Sequence, residues 1–273
     1  MRRFLRNRAG VTGLAIVLFF TLATLLAPVL KPYNAGTDRN LLNRLKPPTS
    51  EHLLGTDELG RDVLTRVWHG GRVSLSVSLV VVGFSALLGT ALGVLAAVAR
   101  GRLDLGLSWF VDILMAFPGI LLAIAIVATL GASLSNALIA TAVMGIPAYY
   151  RVMRSAIIGL RDLEFVQAAE ALGASRFRVA ARHLLPNALS PLIVQVTLGI
   201  GRTVLTIASL GFLGLGAQPP TPEWGLMIKS GYGQFLNAPW LSIAPGFAIY
   251  LAVLGFNLLG DAIRDHLDPQ LRR

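Results

Sequence analysis

Five stretches of this chain run for twenty residues or more with almost no charge. They are Ala9 to Leu30, Val73 to Ala99, Ile113 to Tyr150, Asn187 to Leu215 and Leu241 to Gly260, and Arg202 is the only charged residue within them. A bilayer is crossed by about 20 apolar residues. Ile113 to Tyr150 is long enough for two crossings, and Gly131, Ser133, Ser135 and Asn136 mark a turn between them. The pattern predicts an all-α polytopic membrane protein with six transmembrane helices. Pro118 and Pro147 fall inside the third and fourth spans and predict kinks. Ser85, Gly89, Gly93 and Ala97, spaced by four, predict a small-residue packing seam.

Composition agrees with this pattern. Hydrophobic residues make up 54% and charged residues 14%, where soluble domains carry about 25% charge. Mean hydropathy is +0.66. A soluble enzyme and a disordered chain are both excluded on this basis. The net charge of +10 would suggest nucleic acid in a soluble protein, but in a membrane chain it reads as basic cytoplasmic loops. With the N-terminus inside, fifteen Lys and Arg fall on the cytoplasmic side and eight outside. This orientation predicts that both termini are cytoplasmic. Arg2, Arg3, Arg6 and Arg8 precede a first apolar run too long for a cleaved signal peptide, so that run is expected to be a retained span.

Several chemistries lack their parts. There is no cysteine, and none of His52, His69, His183 and His266 lies in a span. No HExxH pair offers a metal site, and no lysine follows a glycine as a P-loop requires. Arg202 is the one ionisable residue well inside a span; Asp112 and Asp261 fall near span ends. A multi-span chain without coupling chemistry either takes its energy from a partner or acts as an ATP-independent channel or secondary carrier.

The longest stretch on the predicted inner side is 151–187. Ala168 to Leu172 favours helix, Gly173 suits the left-handed position past a helix end, and Ser175 would cap a second helix reaching towards Pro186. The residues Gln167, Ala168, Ala169, Glu170, Ala171, Leu172, Gly173, Ala174 and Ser175, with His183 and Pro186 following, form a segment that resembles the EAA signature of ABC-importer permeases. Gln167 stands where that signature has glutamate, and His183 where it has an apolar residue. Leu54 to Asp62, continuing to Leu75, and Phe212 to Gly225 resemble further signatures of the C-type permeases of the dipeptide, oligopeptide and nickel family.

The resemblance implies a type I ABC importer permease fold, a non-catalytic subunit and a place in a prokaryotic cytoplasmic (inner) membrane. It implies a second, B-type permease as partner, two ABC ATPase subunits that bind ATP and Mg, an extracytoplasmic substrate-binding protein, and no cofactor or metal in this chain. The helix around Ala168 to Leu172 would couple to an ATPase. Residues 1–72 would hold the tail, first helix and external loop. Residues 73–273 would form a five-helix core, with the coupling segment and an external loop at 216–240.

Within the fifth span Gln195, Gly199, Arg202, Thr206 and Ser209 follow at steps of three and four, so they share a helix face. A translocation path and a packing seam both fit that stripe. Outside, Thr221 and Pro222 read as a helix start, Trp224, Tyr232 and Trp240 as interfacial anchors, and Thr56 to Trp68 as an amphipathic interface helix.

Overall fold

The computed structural model describes residues 7–34 and 36–267. The remaining basic residues of the tails, Arg2, Arg3, Arg6, Arg272 and Arg273, lie outside the described residues, so their predicted cytoplasmic placement is not addressed by it. The described chain is helical, with one isolated β-bridge between Thr56 and Asp62. Its helices are α1 (Arg8–Leu30), α2 (Val63–Ala99), α3 (Gly101–Ala116), α4 (Gly119–Leu130), α5 (Leu134–Arg161), α6 (Glu164–Ala171), α7 (Arg176–Val179), α8 (Leu185–Asn187), α9 (Leu189–Leu213), α10 (Trp224–Tyr232) and α11 (Trp240–Leu267).

Helices α1, α2, α9 and α11 are each long and apolar enough to cross a membrane. Helices α3 and α4 qualify together, but they meet at an 89° bend. The bend replaces the kink expected at Pro118. Phe117 is extended (φ −94°, ψ 137°), as the residue before a proline prefers, so the helix stops and restarts. Helix α5 has the length, 28 residues, but Arg151, Arg154 and Arg161 make its second half polar. By length and apolarity the described residues therefore give four spans, or five with the bent pair, rather than the expected six.

The second span starts ten residues earlier than its uncharged run. Asp62 is the N-cap, its Oδ1 accepting from Thr65 N and Thr65 Oγ1 at 2.8 Å each. The interface helix expected over Thr56 to Trp68 is instead a capped turn followed by the first turns of α2, with Val63, Arg66 and Val67 buried. Polar residues are tolerated there because their charges are paired. Helix α2 also runs unbroken through the division expected between residues 72 and 73. At 37 residues it is about 55 Å long at 1.5 Å per residue.

Close packing rests on small residues. The α2 seam lies against α5: a Cβ at Gly89 would sit 2.6 Å from the Ile146 carbonyl oxygen, and one at Gly93 2.7 Å from that of Tyr150. Ser85 Oγ donates at 2.8 Å to Ala142 O across the same crossing. Gly13 of α1 and Gly255 of α11 allow a second close contact. Phe19, Leu22, Leu25, Val29, Leu79 and Phe84 point outward and exposed, as a lipid-facing surface requires.

The loop predicted to lie outside, 216–240, packs into the fold rather than lying on its surface. Glu223, not Thr221, caps α10, accepting from Gly225 N at 2.9 Å and Leu226 N at 2.8 Å. Trp224 is fully buried instead of interfacial, because its indole Nε1 donates to Val67 O at 2.8 Å and its ring packs edge-on to Phe20. A Cβ at Gly225 would land on the Ala208 carbonyl oxygen. Gly225→Ala is therefore expected to lower the thermal midpoint of the detergent-solubilised protein, at the cost of about 1–3 kcal/mol typical of overpacking. Gly83→Ala, where nothing lies within 4 Å, serves as the control and leaves the midpoint unchanged or higher. A Gly225→Ala chain as stable as the parent contradicts this packing.

Candidate functional site

Four of the five residues in the α9 stripe converge. Gln195, Gly199, Arg202 and Thr206 line one open groove of about 200 Å³, with Thr203 beside them and Ser85, Thr141 and Tyr149 opposite. Ser209 is not among the lining residues; its Oγ donates to Leu205 O at 2.8 Å. Gly199 is there for clearance, since a Cβ would strike the Tyr149 hydroxyl. Arg202 is exposed, and among the described residues no carboxylate lies within ion-pair distance of it. Tyr149 and Thr141 gave no sequence signal of their own. They reach the groove because the α2 seam draws α5 close.

The segment 151–187 forms the predicted corner. Helix α6 ends at Ala171 with Leu172 as its C-cap, Gly173 takes φ +83°, Gly173 N donates to Glu170 O at 2.9 Å and Ala174 N to Ala169 O at 3.0 Å. These two bonds make a complete Schellman cap. Ser175 Oγ then accepts from Arg178 N at 3.3 Å and starts α7. The second helix is not regular: Ala180–Leu184 widens into a π turn before α8. Pro186 has no N–H for the Arg182 carbonyl and its ring would crowd that carbonyl, so the wider turn relieves both. Asn187 Nδ2 takes up the neighbouring His183 carbonyl at 2.6 Å.

Val166 is buried and Ala169 and Ala174 half-buried against Met153, Ile157 and Leu184, so one side of α6 is fixed to the bundle. The other side is open: Gln167, Ala168, Glu170 and Ala171 are exposed, as are Leu172 at 89% and Phe177 at 83%. His183 is half-buried, its ring 6.5 Å from that of Phe165, and Pro186 is exposed. Gln167 Nε2 donates to Asp162 O at 3.1 Å. A glutamate has no N–H for that carbonyl, so the departure from the signature supplies a bond across the α5–α6 turn.

At the opposite end of α2 the other two sequence signatures meet. Asp57 is buried and accepts from Leu59 N, Arg61 N and Arg61 Nε, and from Arg66 Nη1 at 2.5 Å. Asp57, Arg61 and Arg66 face Pro219, Pro220 and Thr221 across a cavity of about 230 Å³. His52 Nδ1 lies 3.0 Å from Asp62 Oδ2. Burial pushes the Asp62 carboxyl up, but hydrogen bonds from Thr65 N, His52 and Thr65 Oγ1, with the Lys31 charge, hold it below its ordinary value. Glu223 also accepts from Ser74 Oγ at 3.1 Å. Sequence reasoning marked both segments by their signatures but missed that they pack together.

Residues 89–273 match the family described as the binding-protein-dependent transport system inner membrane component. The chain belongs to this family. Residues 1–48 also match the N-terminal transmembrane domain of oligopeptide transport permease C. The dipeptide transport system permease protein DppC of Alkalihalophilus pseudofirmus is 47% identical over 98% of this chain and 88% of its own length. The glutathione transport system permease protein GsiD of Pectobacterium atrosepticum is 42% identical over 99% and 90%. Among solved structures, an inward-facing MetNI methionine ABC transporter matches with a TM-score of 0.62 at 22% identity, covering 76% of this chain and 96% of that one. That likeness carries the fold: an all-α, polytopic type I ABC-importer permease. As a family member the chain is an inner-membrane component of a transport system. Among the described residues no three His, Asp or Glu side chains gather as a metal site.

The outer joint has a pH signature. Burial pushes the Glu223 carboxyl above its ordinary 4.5, against hydrogen bonds from Gly225, Leu226 and Ser74 that pull it down. A carboxyl raised in the folded state stabilises most below 4.5 and loses that contribution as pH rises through its folded value. The thermal midpoint of the solubilised chain is therefore expected to fall with rising pH over that window more steeply than that of Glu223→Gln. Identical slopes in a melting series contradict the assignment.

Proposed function

We propose that the chain is one of two permease subunits of an ATP-driven importer of peptides or a related small solute, and that it contributes half of the translocation pathway. The observation that carries this reading is Arg202. It faces an open groove walled by α2, α5 and α9 of this chain, and a guanidinium at that depth needs water or a partner. A second, B-type permease facing the groove would close a polar path. The names of the dipeptide and glutathione permeases support a peptide-type cargo, delivered by an extracytoplasmic binding protein.

The open side of α6, with Leu172 and the Gly173 corner, is the surface offered to one of two ATPase subunits, which bind ATP and Mg themselves. Nucleotide binds the closed ATPase pair more tightly than the open pair, and that difference shifts the spans between inward and outward access. In this reading Gln167 to Ser175, with His183 and Pro186 bracing the following turn, form the coupling element. Gln195, Gly199, Arg202 and Thr206 line the path, and Ser209 continues their face beyond the groove. Helix α5 completes six spans, its arginines lying at the cytoplasmic end with both termini.

The complete complex, reconstituted with its binding protein and peptide substrates, tests this. Gly173→Trp forces a side chain into a left-handed backbone, a cost of about 1–2 kcal/mol, on the docking surface. It is expected to separate ATP hydrolysis from uptake or to release the ATPases, with the permease pair intact. Arg202→Ala is expected to cut uptake at least about tenfold, the effect of 1.4 kcal/mol, with assembly unchanged. Normal uptake by Arg202→Ala removes the stripe from the path. Uptake by the purified chain alone without ATP establishes the carrier or channel instead.

A further inference from the structure

Two concavities meet at the C-terminal end of α2. One, of about 260 Å³, is lined by Arg100, Arg161 and Arg176 together with Glu170. The other, of about 580 Å³, is almost wholly apolar and runs between Leu87, Val94 and Leu95 of α2 and Phe177, Ala181 and Leu185. Val98 lines both.

Three arginines against one glutamate leave the first cavity cationic. Among the described residues Arg100 and Arg176 form no ion pair. Arg161 Nε is buried without a hydrogen bond, the Asp162 carboxylate lying 3.5 Å from it. A buried donor without a partner is unfavourable, and guanidinium forks match phosphate oxygens. The neighbouring groove has the opposite chemistry, with Leu87 69% and Phe177 83% exposed. A ligand that satisfies both has an anionic head and an apolar tail.

We propose that an anionic phospholipid seats its phosphate among Arg100, Arg161 and Arg176 and lays an acyl chain in the groove beside them. The inference rests on the reading above that this end of α2 is the cytoplasmic one. Its consequence is mechanical. Val166, Glu170 and Ala174 line the same cationic cavity, so the lipid sits at the flank of α6 where it meets the bundle, with Glu170 at the edge of the face offered to the ATPase. The occupied site braces α6, and motion delivered to α6 then reaches α2 and α5 rather than dissipating in the corner.

The test uses the whole complex in nanodiscs of phosphatidylcholine with and without phosphatidylglycerol. Native mass spectrometry counts retained lipid, and ATP hydrolysis is read in parallel. Phosphatidylglycerol is expected to be retained over phosphatidylcholine and to stimulate ATP hydrolysis by the complex. The double variant Arg161→Gln, Arg176→Gln is expected to lose that retention by roughly tenfold, for charge-assisted contacts removed, and to lose the stimulation of ATP hydrolysis. Arg161→Lys, Arg176→Lys, which keeps the charge, is expected to retain more lipid than the glutamine pair, and Arg264→Gln on α11 to behave as wild type.

Equal retention of the two lipids, or unchanged retention in the glutamine pair, overturns the proposal. So does inorganic phosphate that protects the site without any preference for phosphatidylglycerol. A photo-crosslinker replacing Ala181 that captures the sister permease instead of lipid overturns the acyl-chain seat. ATPase subunits retained in a complex without lipid preference sink the lipid site alone, whereas a wild-type chain that never holds ATPases sinks the importer reading.

Discussion

A guanidinium in the middle of an apolar helix has few places to go. Arg202 sits near the centre of α9, and facing hydrocarbon there would cost about 2.5–3.5 kcal/mol or more. That constraint fixes which side of α9 turns towards a polar space, and the helix period carries Gln195, Gly199 and Thr206 to the same side. The walls opposite come from α2 and α5, and they come close only because their crossing is built from Ser85, Gly89 and Gly93. With no hydrophobic drive between helices in lipid, such backbone approach is what holds the crossing. One costly side chain and one small-residue seam together produce the groove.

Both ends of α2 are then tied down by different chemistry. At one end the buried Glu223 and Trp224 pin α10 to Ser74 and Val67, while Asp57 gathers Arg61 and Arg66. At the other end α6 is held by Val166 on one side and left open on the other. The first joint is enclosed and hydrogen-bonded; the second is shallow and carries exposed Leu172. This asymmetry gives a helix about 55 Å long one enclosed end and one open end.

Much of this was legible in the sequence wherever the cause was local. The apolar runs located α1, α9 and α11. Gly173 and Ser175 marked the corner because backbone handedness and capping act within a few residues. The three-and-four spacing found four groove residues for the same reason. What was hidden depended on tertiary pairing. Trp224 read as an interfacial anchor until the Val67 carbonyl gave its indole a buried partner. Thr221 lost the cap to Glu223, whose carboxylate could also reach Ser74. Thr56 to Trp68 read as an amphipathic helix because Arg61 and Arg66 looked solvated, whereas Asp57 neutralises both inside the fold. Pro118 gave a right-angle break in place of a kink, and the arginines of α5 keep that helix below the apolarity of a span.

The central claim is that the Arg202 face of α9 lines half of a water-filled path closed by a second permease. The chain has no cysteine, so an introduced cysteine is its single thiol, and labelling is read on this chain after the subunits are separated. The decisive measurement is the rate at which a membrane-impermeant thiol reagent labels Gln195→Cys, Thr206→Cys and, as an outward-facing control on α1, Phe19→Cys in the assembled complex, with and without ATP. The account predicts labelling at 195 and 206 that changes with nucleotide, and a Phe19→Cys that stays unlabelled in both states. Protection of 195 and 206 in both states, or labelling at 19 alone, would contradict it.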